Sequence, residues 1–234
     1  MSEADRIARA YRDPARRKGA SRWDSRNRGN QAILAERRAL TRKVLDEQGW
    51  LPLSGRRIIE VGSGGGAELA SMVDYGANPS QLEGVDLLPE RVEAAREAHP
   101  EISFHAGNAE RLEFPDASFD LAIAFTLFTS ILDSRMAAGV AAEMRRVLRP
   151  GGGLLWYDFR YDNPFNRNVR GVGARRVREL FPGMAGRLYT LTLIPQVARR
   201  LGPLTPAAYP LLAGLPPLRS HLLGLLIKAR SDAL

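Results

Sequence analysis

Cysteine is absent from this chain of 234 residues. Disulfide staples, thiolate metal sites and catalysis by a cysteine nucleophile are therefore excluded, and a reducing compartment poses no difficulty. Lysine is scarce as well: Lys18, Lys43 and Lys228 are the only ones among 34 basic residues, so positive charge here means arginine. Histidine occurs three times. His99 precedes a proline on a predicted turn, His105 lies within a predicted strand and His221 opens another, and all three read as structural. Long uncharged runs are also lacking. The longest, Leu201 to Leu218, contains five prolines, which argues against a membrane-spanning helix. The first residues are charged throughout and have no apolar core of a secretion signal, so a cytoplasmic protein is expected.

What is present is an uneven distribution of charge. Residues 1–43 hold 13 basic against 5 acidic side chains, 44–150 hold 9 against 17, and 151–234 hold 12 against 4. Two basic ends around an acidic middle suit a nucleic acid, an anionic membrane surface or an acidic small substrate, and equally a plain solvated face. The length fits one α/β domain with additions.

The middle of the chain alternates short apolar runs with helical patterns. "RRIIEVG", "LEGVDLL", "ISFHAGN", "FDLAIAF" and "GLLWYDF" read as strands, the fourth fully apolar as a buried parallel strand is. "AELASMVDYG", "PERVEAAREAHP" and "AGVAAEMRRVLRPGG" read as the helices between them. Upstream, "QAILAERRALTRKVLDEQG" has helical periodicity, with Asn30 as its expected cap and Gly49 as its stop. Downstream come a short helix in "GARRVRELFPG", a strand in "GRLYTLTLI", a proline-rich apolar stretch over 195–217, and a last strand in "SHLLGLLIKA". This order predicts a Rossmann-like, doubly wound α/β sheet whose ligand sits beyond the carboxyl ends of the strands.

The chemistry concentrates in "IIEVGSGGGAE", residues 58–68. A strand running through glycines into a helix brings backbone close to a ligand and presents unpaired N–H groups. No Gly-Lys-Ser/Thr closes the turn, so a phosphate loop is excluded. Glu60, ending the first strand, disfavours a nearby pyrophosphate and favours a cationic ligand. Asp86 ends the second strand, 26 residues later, where a carboxylate accepts bonds from ribose hydroxyls. A nucleoside cofactor with positive charge and no phosphate fits both acids; a nicotinamide dinucleotide fits only the second.

With these motifs in place, residues 56–160 resemble the core of class I S-adenosylmethionine-dependent methyltransferases. "EVGSGGG" matches the family's Glu/Asp-x-Gly-x-Gly-x-Gly, "GVDLLPERVEAAR" its second strand end, "AGNAERLEFPDASFDLAIAF" its third loop and fourth strand, and "EMRRVLRPGGGLLWYDF" the approach to its fifth. The resemblance implies a seven-stranded sheet with an antiparallel last strand. It implies a helical cap over 1–49, a methyltransferase domain over 50–234, and a substrate-side insert over 195–217 between strands six and seven. It also implies S-adenosylmethionine as cofactor. Gly62, Ser63 and Gly64 would pass under the methionine portion, with Glu60 organising the loop and its ammonium group. Asp86 would hold the ribose, Leu87 lie against adenine, Asn108 and Ala109 meet its edge, and Phe125 and Thr126 border the methyl group.

Asn163-Pro164-Phe165 looks like the tetrad of base-methylating enzymes, but that tetrad follows the fourth strand, where this chain has the apolar "AFTLFTS". A DNA substrate is therefore excluded and no metal site is evident. The expected acceptor is a small molecule, methylated at an oxygen of a secondary metabolite or sugar-type substrate, and the basic flanks suit an acidic one. An RNA or protein acceptor held by those flanks is the alternative. Arg160, Arg167 and Arg170 after the fifth strand and Trp23 in the cap are the candidate acceptor contacts. Asp158 and Tyr11 are the candidate general bases.

Overall fold

The computed structural model describes residues 2–13, 24–163 and 166–230. Trp23, Pro164 and Phe165 lie outside the described residues. Five parallel strands come first: β1 (Ile58–Val61), β2 (Leu82–Asp86), β3 (Ser103–Ala106), β4 (Phe119–Phe125) and β5 (Leu148–Phe159). Then follow β6 (Met184–Ala185), β7 (Leu188–Leu193) and β8 (Arg219–Lys228). Among the described residues these form one sheet in the order β3-β2-β1-β4-β5-β8-β6, with β7 also paired to β8. β8 runs antiparallel to β5, β6 and β7.

The strand expected over 186–194 is β7, and the short β6 precedes it in the same register on one edge of β8. Between them backbones approach closely. A Cβ at Gly186 would run into the carbonyl of Leu225, and one at Gly224 into the carbonyl of Arg187. Glycines that admit another backbone mark a break in a ladder.

Side chains alternate between the two faces, as the pleat requires. On one face Ala122, Ala124, Leu154 and Trp156 join Val140 and Met144 of α5 (Ser134–Val147) and Val177 of α6 (Ala174–Leu180). On the other, Leu121, Ile123, Leu155 and Tyr157 meet Val44 and Leu45 of α2 (Arg28–Glu47) and Leu69 of α3 (Ala67–Ala70), together with Val92 of α4 (Pro89–Ala98). The helix expected over 67–76 is therefore only one turn. It continues as a 3₁₀ segment, Ser71–Tyr75, closed by Gly76 at φ 91°.

The start of α2 differs from expectation. Asn27, not Asn30, caps it, accepting from the N–H groups of Gly29 and Asn30. Asn30 is buried and its amide donates to the carbonyl of Asp24 at 3.0 Å. Upstream lies α1 (Glu3–Arg12), which the sequence reading did not resolve. A reciprocal Ser2–Asp5 capping box starts it, and its apolar side is thin: Ile7 is buried, with Ala4 and Tyr11 partly so. Polar ties hold it to the sheet's ligand end. Glu3 accepts from the N–H groups of Leu132 at 2.6 Å and Asp133 at 3.2 Å, and Arg6 donates to the Ser130 carbonyl at 2.6 Å. Arg12 and Glu90 pair through bonds of 2.7 and 3.1 Å.

The proline-rich 195–217 stretch holds α7 (Pro195–Ala198) and α8 (Thr205–Ala213) between β7 and β8. Leu193 pairs with Arg219, and Phe159 with His221. The insert therefore leaves the sheet at the carboxyl end of β5, the end that carries the glycine turn.

Candidate functional site

Sheet geometry builds the site. The turns after β1, β2, β3 and β4 converge at one end of the parallel strands, and α1 lies across them. Gly62, at φ 77°, and Ser63 both donate to the Val85 carbonyl, at 2.7 and 3.0 Å, which ties the first turn to the second strand. Gly64 follows at φ 55° and Gly66 at φ 79°. A Cβ on Gly62 would stand 2.9 Å from Leu127 Cδ1, so a side chain there would fill space at the cavity wall.

Asp86 is buried, and both of its oxygens are already oriented. Oδ2 accepts from the Gly64 N–H at 2.8 Å and Oδ1 from the Leu88 N–H at 3.0 Å. Each oxygen keeps a second lone pair. Arg91 stands 3.7 Å from Asp86 and lies over the Tyr11 ring, 5.1 Å from its centroid.

Around this acid opens a cavity of about 710 Å³, open solvent included. Its wall includes seven residues expected at a cofactor: Gly62, Asp86, Leu87, Asn108, Ala109, Phe125 and Thr126. Tyr11 joins them from α1, and its hydroxyl bonds Ser130 Oγ at 2.9 Å. Thr126 sits at φ 51° with its N–H donating to the Tyr157 carbonyl at 2.7 Å. For a β-branched residue this is a strained conformation, held at the cavity wall by a strand bond. Asn108 folds back locally, its Oδ1 accepting from the Glu110 N–H at 3.0 Å.

Glu60, Ser63 and Gly64 lie behind that wall. Glu60 is fully enclosed, and burial, followed by the nearby Glu68 charge, pushes its carboxyl well above the usual range. One of its oxygens, Oε2, has no hydrogen-bond partner, and neither has Ser63 Oγ. Arg37 of α2 stands by, pairing with Glu68 and lying 5.4 Å from the Phe125 ring centroid. An orphaned buried carboxyl beneath a glycine turn, with a carboxylate at the next strand end, fits a cofactor carrying an ammonium group and a ribose.

The remaining candidates stand apart. Asp158 is completely buried and serves the backbone: Oδ2 accepts from Thr129 N–H at 3.0 Å and Oδ1 from Phe159 N–H at 2.8 Å. Burial raises its carboxyl to about 7, against these bonds. Arg160 lies over the Tyr161 ring, Arg167 is exposed, and Arg170 lines a separate hollow of about 350 Å³ with Phe128 and Leu180. None of the three arginines, nor Asp158, is on the cavity wall. The cavity's own cation is Arg91, with Ser130, Ile7 and Met136 as further lining residues that the sequence reading missed. Only Arg91 left a trace, as the helix residue one turn into α4 after the acidic strand end.

Comparison with known proteins bears on the family and the fold. The family described as "Methyltransferase domain" matches residues 58–152. The phthiotriol/phenolphthiotriol dimycocerosates methyltransferase of Mycobacterium leprae is 37 % identical over 121 residues, covering 47 % of this chain and 40 % of that protein. The demethylmenaquinone methyltransferase of Beutenbergia cavernae is 32 % identical over 140 residues, covering 60 % and 54 %. The chain thus spans about half the length of these curated relatives. Among solved structures, a SAM-dependent methyltransferase from Methanosarcina mazei superposes with a TM-score of 0.54 at 19 % identity, covering 74 % of this chain and 92 % of that one. That likeness concerns the fold.

Proposed function

We propose, from the premise that residues 58–152 form a class I S-adenosylmethionine-dependent methyltransferase domain, that the chain transfers a methyl group to a small-molecule acceptor, at oxygen. The observation that carries this reading is the convergence of Gly62, Asp86, Asn108 and Thr126 on one cavity. Such a cofactor supplies a sulfonium-bound methyl group open to in-line displacement. Everything else falls to the chain. Asp86, held by two backbone N–H groups, offers its remaining lone pairs to ribose hydroxyls. Leu87 and Ala109 provide apolar faces for a purine, and the enclosed Glu60 supports the turn and favours an ammonium group above it. Phe125 and Thr126 border the reacting atoms.

The acceptor side is formed by Tyr11, Ile7, Phe125, Leu127 and Ser130. This wall is mostly apolar, so the acceptor has an apolar body that presents one polar atom. Two relatives, named for a menaquinone precursor and a phthiotriol lipid, support the same class. Tyr11 is the group within reach of an acceptor hydroxyl, which its own hydroxyl, held by Ser130, positions by hydrogen bonding. Asp158 holds the turn after β4 and acts on the site only through that turn. Alignment of acceptor and methyl group supplies up to ~7–11 kcal/mol of the rate enhancement, so no metal is required.

Titration calorimetry with S-adenosylhomocysteine against NAD tests the cofactor. Micromolar binding of the first alone is expected, and tight binding of NAD would overturn the assignment. Tyr11→Phe should leave S-adenosylhomocysteine affinity unchanged while lowering turnover of an accepted substrate.

A further inference from the structure

The insert between β7 and β8 is apolar on two sides, whereas a helix at a protein–water boundary is apolar on one. In α8 the inward positions Thr205, Tyr209 and Ala213 are buried, with Tyr209 and Ala213 against Ile33, Leu193 and Ala198. Leu211 is 75 % exposed, and beyond the helix ends Leu204 is 68 % and Leu215 52 % exposed. Three of the five exposed large hydrophobic residues among the described residues thus fall within a single insert. No charged residue interrupts Leu201–Leu218, and its five prolines stiffen the ridge.

Positive charge borders this ridge without entering it: Arg199, Arg200 and Arg219 flank the insert in sequence, and no aspartate or glutamate occurs from 180 to 231. The first turn of α2 abuts the insert: Asn27 donates its amide to the Arg199 carbonyl at 3.2 Å, and Gly29 backs onto the Ala198 carbonyl so closely that a Cβ has no room. Arg28 and Arg200, both exposed, flank that contact at the base of the ridge. The acids of this neighbourhood are engaged, Asp24 with Arg26 at 2.9 Å and Glu36 with the Tyr209 hydroxyl at 2.7 Å.

We propose that this insert is a docking face for an anionic lipid bilayer. Leucines 204, 211 and 215 enter the boundary between headgroups and acyl chains, and the arginines at the base meet lipid phosphates. The pairing of an uncharged apolar ridge with a basic base whose acids are engaged is complementary to such a surface, which needs no shape match. A nucleic acid would leave the leucines unused. Among the described residues no helix is long and apolar enough to cross a membrane, so the contact is peripheral. The insert rises from the cofactor end of the sheet, so docking sets that end against the lipid. The inference does not depend on the acceptor's identity.

Flotation with vesicles of phosphatidylcholine alone, and of phosphatidylcholine with phosphatidylglycerol, tests it on the full chain. The wild type is expected to float with the anionic vesicles, less so as salt rises. The triple variant Leu204→Ser, Leu211→Ser, Leu215→Ser should lose about tenfold or more of that binding. Arg28→Gln with Arg200→Gln should reduce it while preserving the fold, read by circular dichroism. The proposal is overturned if the wild type floats with neither vesicle, or if the triple variant floats equally well. It is overturned too if light scattering shows a wild-type dimer that the triple variant dissolves, the ridge then being a contact between copies.

Discussion

Asp86 ties the fold to the cavity through one side chain. Its two accepted N–H bonds fix the turns after β1 and β2, and the same constraint presents the carboxylate to the cavity. Asp86→Asn keeps one of those bonds and should weaken S-adenosylhomocysteine binding about 10- to 100-fold, a loss of about 1.4–2.7 kcal/mol; unchanged affinity by calorimetry would remove Asp86 from the site. Asp158 and His221 set opposite pH dependences. Burial raises Asp158 to about 7 from 3.8, so the folded chain binds the extra proton and stability falls as pH rises through that window. Burial, helped by Arg37, lowers His221 to about 3 from 6.5, so the unfolded chain binds the proton and stability falls as pH drops through its window. Urea midpoints should therefore rise more steeply with pH between 4 and 7 in Asp158→Asn than in wild type. An unchanged slope would mean the carboxyl is not the titrating group. The comparison must be between variants, because Arg6 and Arg146 hold Glu3 and Glu143 low and give stability that acid removes.

At the scale of elements, α1 is the piece whose position the pattern did not foretell. Its buried apolar surface is little more than Ile7, so polar ties fix it across the cavity. Their weights differ. Solvent screens the exposed Arg12–Glu90 pair, which contributes little, whereas the charged bonds that Glu3 accepts from two backbone N–H groups contribute about 1.5–3 kcal/mol each. Glu3→Ala should thus free α1 more than Arg12→Ala does. Hydrogen exchange of residues 6–11 reads this directly, with a rise of about tenfold or more expected for Glu3→Ala. Equal exchange in both variants would show that the helix is held by something else.

For the molecule as a whole, cofactor and charge make separate predictions. A saturating ligand at about 100 times its Kd adds about 2.7 kcal/mol to folding stability. S-adenosylhomocysteine should then raise Tm by roughly 5–10 °C for a chain of this size, and NAD should raise it little. The basic ends surround an acidic middle, so weak, salt-sensitive retention on heparin is expected. Tight retention with a steep salt slope would favour a polyanionic acceptor over a small one.

The sequence by itself determined the strand–helix alternation, the glycine turn after β1 and the acids near the ends of β1 and β2. These are local matters: an apolar run, a glycine at positive φ, a carboxylate at a strand end, each legible within a few residues. Tertiary structure decided the rest. Asn27 displaced Asn30 as a cap because Asn30 is drawn inward to Asp24, and a short β6 precedes β7, separated from it where two backbones meet at Gly186 and Gly224. The arginines after β5 looked poised for an acceptor, yet the chain turns Arg160 onto Tyr161 and Arg170 into another hollow, while Arg91 and Tyr11 reach the cavity from separate elements. Asp158 follows the same logic. Its place at the end of β5 was legible, but only the packing of the turn Phe128–Ser130 over it seals it from the cavity. Which way a side chain at a strand end faces depends on what covers it, and that cover comes from distant parts of the chain.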